Sequence, residues 1–169
     1  MEVEAPTYDG LHDFSCGDDD VWETDLNETV QMLARVDGPV ERRVLVVEDE
    51  SSDAYGAFIG VASVLPYAPG ETLRELPAMD DAIYIQALGI TDTYRKAELP
   101  DDSPIGGWLL DRVLHEIRLT WTDKARPVWA IVHKQNERCR RMLRPREFEL
   151  YPVAGDYDVW VRSREAASD

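Results

Sequence analysis

The sequence predicts a mixed α/β fold: a central sheet, mostly antiparallel, with one parallel β-α-β pair and helices on its faces. Three observations predict it. Residues Ile83 to Ile90 (IYIQALGI) form an apolar run too short for a helix and rich in β-branched and aromatic residues, which suits a buried strand. From Ser103 the period changes, and Ile105, Leu109, Leu110, Val113, Leu114 and Ile117 recur at helical spacing with Asp111, Arg112, Glu116 and Arg118 opposite them. Pro127 to His133 (PVWAIVH) then reads as a second buried strand. A strand, a helix over 104–119 and a second strand make a right-handed crossover, so these two strands run parallel.

The other elements follow in order. Residues 1 to 17 are polar and irregular, with a short extended piece near Leu11 to Phe14. Asp18 to Val36 reads as a helix, because Trp22, Leu26, Val30 and Leu33 recur every three or four residues and Asp18 to Asp20 favour an amino terminus. Gly38-Pro39 stops it. Arg43 to Val47 is a strand, Glu48 to Asp53 an acidic turn, and Ala57 to Leu65 the returning strand of an antiparallel hairpin. Pro66 to Asp80, with three prolines and a glycine, is a loop with one helical turn near Leu73. After the central unit, Asn136 to Arg144 makes a short basic helix. Phe148 to Pro152 and Tyr157 to Arg162 make a closing pair of strands.

At 169 residues the chain reads as one domain, 1–169, with residues 1–10 and 164–169 expected to be flexible. A hydrophobic fraction of 44% supports a packed core, and no apolar run approaches the roughly 20 residues that cross a bilayer. The acidic start MEVEAPTYDG is unlike a secretory signal, and Cys16 and Cys139 match no metal or redox spacing. Both therefore read as reduced thiols in a cytoplasmic protein with no bound metal. A net charge of −16 opposes non-specific binding to nucleic acid or an anionic membrane. The basic charge is uneven, however: Lys134, Arg138, Arg140, Arg141, Arg144 and Arg146 cluster on one short segment.

Candidate chemistry centres on the turn before the long helix. Ser103 suits an N-cap and Pro104 the first helical position, while Gly106 and Gly107 let a ligand approach the backbone closely. Unpaired N–H groups and the helix dipole there would hold a phosphate. Arg95 and Lys96 could neutralise one. Gly89 within a strand suggests a bulge. Proton-transfer candidates are Glu75, Asp80, Asp81, Tyr84, Gln86, Tyr94, His133 and Cys139. Among them His133 ends a strand and carries the side chain suited to proton transfer near neutral pH. Cys139 sits among arginines that favour a thiolate.

The order of these elements resembles the GNAT acyl-CoA N-acetyltransferases: strand YIQALGI, turn SPIGG, helix WLLDRVLHEI, strand PVWAIVH, then NERCRRML with Phe148 after it. The segment LHDFSCGDDDVWETDLNETVQMLA, with its F-x-C-G element, and ETLRELP are similar to a toxin-like branch of that family. The resemblance implies acetyl-CoA as cosubstrate. It implies a thioester polarised by the backbone at Leu88, Gly89 and Ile90, and cofactor contacts from Arg95, Lys96, Ser103, Ile105, Gly106, Gly107, Trp108 and Asn136. His133, Tyr94 and Cys139 are the catalytic candidates. Departures are plain. Asp101 stands where the family has Gln or Arg, Pro104 where it has Gly, Leu143 where many members have a Tyr that protonates the thiolate, and Glu147 where Gly is usual. The expected function is acetyl transfer to the primary amine of a small molecule or peptide. The alternatives are a toxin-like enzyme acting on aminoacyl-tRNA, which the net charge disfavours, and a catalytically silent acyl-CoA-binding or interaction module. Exposed strand edges would suit a homodimer.

Overall fold

The computed structural model describes residues 11, 13–33, 41–49, 57–67, 79–95, 104–122 and 125–163. Nine elements follow one another: α1 (Val21–Leu33), β1 (Arg43–Asp49), β2 (Ala57–Pro66), β3 (Ile83–Ile90), α2 (Ile105–Thr120), β4 (Val128–His133), α3 (Glu137–Leu143), β5 (Phe148–Tyr151) and β6 (Tyr157–Arg162). The strands form one six-stranded sheet in the order β1-β2-β3-β4-β6-β5. β3 and β4 are parallel, while β4–β6 and β5–β6 are antiparallel, so the expected mixed sheet with its parallel pair is what forms. Long-range packing groups the chain into two compact units, residues 1–63 with 87–113, and 64–86 with 114–169.

In the first unit the core gathers Leu11, Phe14, Cys16, Val30, Val61 and Ala87, with Leu26, Leu33, Val44 and Val46 packed against it. α1 contributes Leu26, Val30 and Leu33, three of the four residues whose spacing predicts the helix. Its amino end has the reach-back half of a capping box. Asp20 accepts the Glu23 and Thr24 N–H groups through its carbonyl, and Glu23 Oε2 reaches back to the N–H groups of Asp20 (3.1 Å) and Asp19 (2.9 Å). Asp18 to Asp20 therefore precede the helix instead of forming its first turn. Leu11 to Phe14 is a 3-10 turn closed by Phe14 N–H to Leu11 O (3.4 Å), not the extended piece expected, because both side chains turn inward to 2% exposure. β1 also runs two residues longer than its predicted end, into Glu48 and Asp49.

In the second unit β6 lies between β4 and β5, so the β5–β6 hairpin folds back to pair β4 from Val128↔Arg162 to His133↔Tyr157. Trp160, 1% exposed, fills the centre of β6 opposite Ala130. A second apolar cluster joins Met79, Ala82, Trp129, Val159 and Val161, with Tyr84, Tyr151 and Val153 at its margin. The buried Asp158 pairs with Lys134 Nζ (3.6 Å) and accepts the Val153 N–H, while Lys134 Nζ donates to Val153 O (2.7 Å). One cation of the basic segment is thus occupied in closing the hairpin.

β3 alternates buried and half-buried side chains from Ile83 to Ile90 without a break. Its main chain is less regular. Ile83 N–H donates to Pro127 O on the β4 side (2.8 Å), whereas Thr91 N–H donates to Ile59 O in β2 (2.9 Å). In a regular strand two N–H groups an even number of residues apart point the same way. The two N–H groups face opposite sides, so the main-chain direction changes between Ile83 and Thr91, which lies just past the strand at the start of a 3-10 turn.

Candidate functional site

α2 opens as the sequence suggests, shifted by one residue. Pro104 sits ahead of the helix and its carbonyl accepts the N–H groups of Gly107 (3.1 Å) and Trp108 (3.2 Å), so Ile105, not Pro104, is the first helical residue. The N–H groups of a helix's first turn have no intrahelical partner, and the dipole makes that end positive. No acidic residue stands in the first turn of α2. Gly106 is half-buried, Gly107 buried, and Trp108 37% exposed, while Ile105, Leu109 and Leu110 point into the core. This set fits an anionic group approaching main chain: two adjacent residues lack a Cβ, and Trp108 offers an exposed flat face beside them. Ser103, Lys96 and Glu75, expected as cap, phosphate ligand and base, lie outside the described residues.

Arg95 has a different employment from the phosphate contact expected of it. Its Nη1 donates to Cys16 O (3.1 Å) and its Nη2 forms an ion pair with Glu23 Oε1, a carboxylate whose side chain is only 3% exposed. Asn27 completes the arrangement, accepting the Cys16 N–H (2.9 Å) on Oδ1 and donating through Nδ2 to Gly17 O (2.8 Å). Gly17 has φ of 114°, and a Cβ there would lie 2.8 Å from Arg95 Nη1. The F-x-C-G element is thus a clip: Phe14 enters the core, Cys16 presents its carbonyl and thiol inward, and Gly17 makes room for the guanidinium. Burial, then the nearby Glu23 carboxylate, pushes the Cys16 thiol up to about 11. Sequence reasoning missed Glu23 and Asn27; the Asp20-x-x-Glu23 spacing was the available signal.

Gly89 is also explained by packing. A Cβ on it would fall 2.8 Å from Leu26 Cδ2 and 2.9 Å from Phe14 Cζ, so α1 and the clip lie directly on the β3 backbone. Leu88 and Ile90 are half-buried on the opposite face. Tyr94, half-buried, ends a 3-10 turn Asp92–Tyr94 whose first N–H, from Asp92, donates to Ser15 O (3.0 Å).

The β4–α3 turn holds the remaining candidates. Asn136 caps α3 by accepting the Cys139 N–H at 3.1 Å, as its position predicts. His133, 7% exposed, accepts the Gln135 N–H on Nδ1 (3.2 Å) and meets the Tyr157 ring edge-on at 5.1 Å. Burial pushes the Cys139 thiol up to about 12, the opposite direction from the thiolate that its arginine neighbours suggest. Those arginines are engaged locally: Arg140 pairs with Glu137 and donates to Lys134 O (3.0 Å), and Arg146 donates to Met142 O (2.9 Å). Leu143, which stands where many members of the resembled family carry a thiolate-protonating Tyr, is a core residue at 2% exposure.

An aromatic group that sequence reasoning did not assemble lies at the start of β3 and β4. Tyr84 stacks on Trp129 with ring centroids 4.2 Å apart, and Trp129 Nε1 donates to the Tyr67 carbonyl (2.7 Å). Burial, then the neighbouring Tyr67, raises the Tyr84 phenol above the usual range, so near neutral pH it can donate a proton but not accept one. Asp80 stays exposed and Asp81 and Gln86 are half-buried.

No family model matches the sequence, and no curated protein matches it. Solved structures do match its fold. A protein from Bordetella pertussis that carries a GnaT-family acetyltransferase designation superposes with a TM-score of 0.60 at 16% identity, over 92% of this chain and 89% of that one. Arabidopsis thaliana NAA60 in complex with acetyl-CoA gives 0.56 at 18% identity, over 80% and 81%. The Campylobacter jejuni N-acetyltransferase PseH in complex with acetyl coenzyme A gives 0.53 at 13% identity, over 84% and 82%. The chain thus has the fold of the GNAT acetyltransferases.

Proposed function

We propose that the protein is an acetyl-CoA-dependent N-acetyltransferase that acetylates the primary amine of a small molecule or peptide. The observation that carries this reading is the start of α2: a helix amino end with Gly106 and Gly107 in its first turn and no carboxylate there, in a chain of net charge −16. The N–H groups of Ile105 and Gly106 would hold the diphosphate, with Trp108 beside it. The backbone of Leu88 to Ile90 would polarise the thioester carbonyl. Asn136 would meet the cofactor's arm. Acetyl-CoA supplies the activated acyl group; the chain supplies position and a route for protons. Tyr94 and His133 are the candidates for proton transfer, and the protonated Tyr84 phenol joins them as a donor.

Thermal melting with and without acetyl-CoA tests the first half. A ligand at about 100 times its Kd adds roughly 2.7 kcal/mol of stability. Gly106→Val should abolish that shift while leaving the unliganded melting temperature nearly unchanged. Release of free thiol in the presence of an amine panel tests the second half, and His133→Asn and Tyr94→Phe should divide the loss in kcat between them. A melting temperature unmoved by millimolar acetyl-CoA would leave the fold without its expected chemistry. Acetylation confined to aminoacyl-tRNA would move the acceptor to nucleic acid.

A further inference from the structure

The register between β3 and β4 ends at Tyr84↔Trp129, although β4 continues to His133 and β3 to Ile90. Just past that last pair the face of β4 opens. Ile131 lies two residues beyond Trp129 and therefore on the same face. It is 47% exposed, in a strand whose other five residues are buried. A large aliphatic side chain left this open within an inner strand of the sheet marks a place where something else can lie.

The same face carries three aromatic rings, all in the second compact unit with Ile131. Tyr84 stacks on Trp129 at 4.2 Å and 21° between planes. Tyr67 lies 6.3 Å from Trp129 at 28° and 6.1 Å from Tyr84. Trp129 Nε1 donates to the Tyr67 carbonyl (2.7 Å), which fixes the indole plane and ties the Tyr67 main chain to it. The rings grade from core to surface: Trp129 is buried, Tyr84 half-buried and Tyr67 56% exposed. They make a rigid platform whose outer ring faces water. Ring faces are electron-rich and attract a cation, and a chain of net charge −16 draws cations toward it.

We propose that Tyr67, Tyr84 and Ile131 select the acceptor, and that it is an arylalkylamine: a primary amine joined to an aromatic ring by a short alkyl chain. The ring of the acceptor lies on Tyr67 and Tyr84, where offset stacking adds to the apolar area covered, and Ile131 closes one side of its body. The ammonium of the acceptor approaches over the ring faces. This names the amine for the acetyl transfer proposed above and rests on that reading. Ring binding itself can be measured without any turnover.

Thiol release from acetyl-CoA by the intact chain, with phenethylamine and ethanolamine as rival acceptors, tests it. Phenethylamine should lead in kcat/KM by about tenfold or more, the scale of one stacked and desolvated ring. Tyr67→Ala removes an exposed ring and keeps the carbonyl that Trp129 holds, so the fold should survive, as circular dichroism would check, while the preference falls several-fold. Ile131→Lys sets a second cation beside the ammonium and should raise KM for phenethylamine about tenfold. A preference near one in the parent chain overturns the proposal, as does a preference that neither variant moves. Should no amine be acetylated, acyl transfer fails and binding alone decides. Without acetyl-CoA, phenethylamine should then give a saturable change in tryptophan fluorescence that weakens in Tyr67→Ala. No change at millimolar phenethylamine, or one that Tyr67→Ala leaves intact, overturns the proposal in that case.

Discussion

Arg95 in the first unit and Arg162 in the second make the same two bonds, one to a main-chain carbonyl and one to a carboxylate. They differ in the carboxylate. Glu23 is 3% exposed and also accepts two main-chain N–H groups, whereas Glu147 is 78% exposed. A buried anion cannot fall back on water when its cation is removed, and an exposed one can. The first pair is therefore a structural clamp and the second an adjustable surface contact. Removing each cation separates the two cases.

Arg95→Ala should give the largest effect, a loss of about 3 kcal/mol in chemical unfolding, because Glu23 would be left buried and unpaired. Adding Glu23→Gln should recover part of that loss, since glutamine keeps the reach back to Asp20 without the charge. A smaller loss in Arg95→Ala than in Arg162→Ala would reverse the ranking. The cycle between Arg162 and Glu147 should yield a coupling of no more than about 1 kcal/mol, declining with salt.

The two arginines also mark how far the sequence could be read. β3 and β6 begin and end where their periodicity places them, and α2 starts within one residue of its expected first position, because these segments carry their own apolar pattern. The anion-friendly opening of α2 is similarly local: Gly106-Gly107 states its own backbone requirement. Arg95 was legible as a cation but not as a clamp, since its partner Glu23 and the carbonyl of Cys16 come from a distant segment. Leu11 to Phe14 went wrong for the same reason, its turn being set by burial under α1. Glu48 and Asp49 looked like turn residues by charge, yet continue a strand at one edge of the sheet.

Alkali offers a gentler probe of the clamp. The Cys16 thiol is raised to about 11 and Cys139 to about 12, both above the ordinary thiol value, mainly through burial. The unfolded chain therefore releases these protons at lower pH than the native one. The stability they contribute is fully present below the ordinary thiol range and is lost as pH rises through it toward the native values. In a Cys139→Ala background the decline in stability between about pH 9 and 11 is shared by Cys16 and the raised Tyr84 phenol, and should be shallower in the Cys16→Ala/Cys139→Ala double variant. Denaturant titrations at several pH values read this directly, and an unchanged slope would remove Cys16 from the account.

Glu147 supplies the smallest effect and the sharpest statement about the weaker pair. Its φ of 64° and ψ of 21° put it in the left-handed region, the only non-glycine among the described residues with positive φ. The conformation is imposed by its place between the 3-10 turn Arg144–Arg146 and β5, which begins at the buried Phe148. A side chain with a Cβ is strained there by roughly 1–2 kcal/mol, and glycine is not. Glu147→Gly relieves that strain and forfeits only an exposed ion pair, at the further cost of a freer unfolded chain. The balance should be a gain of about 0.5 kcal/mol, read from the denaturation midpoint at constant slope. A loss of 1 kcal/mol or more would mean that the Glu147–Arg162 contact clamps as firmly as Glu23–Arg95, whatever its exposure.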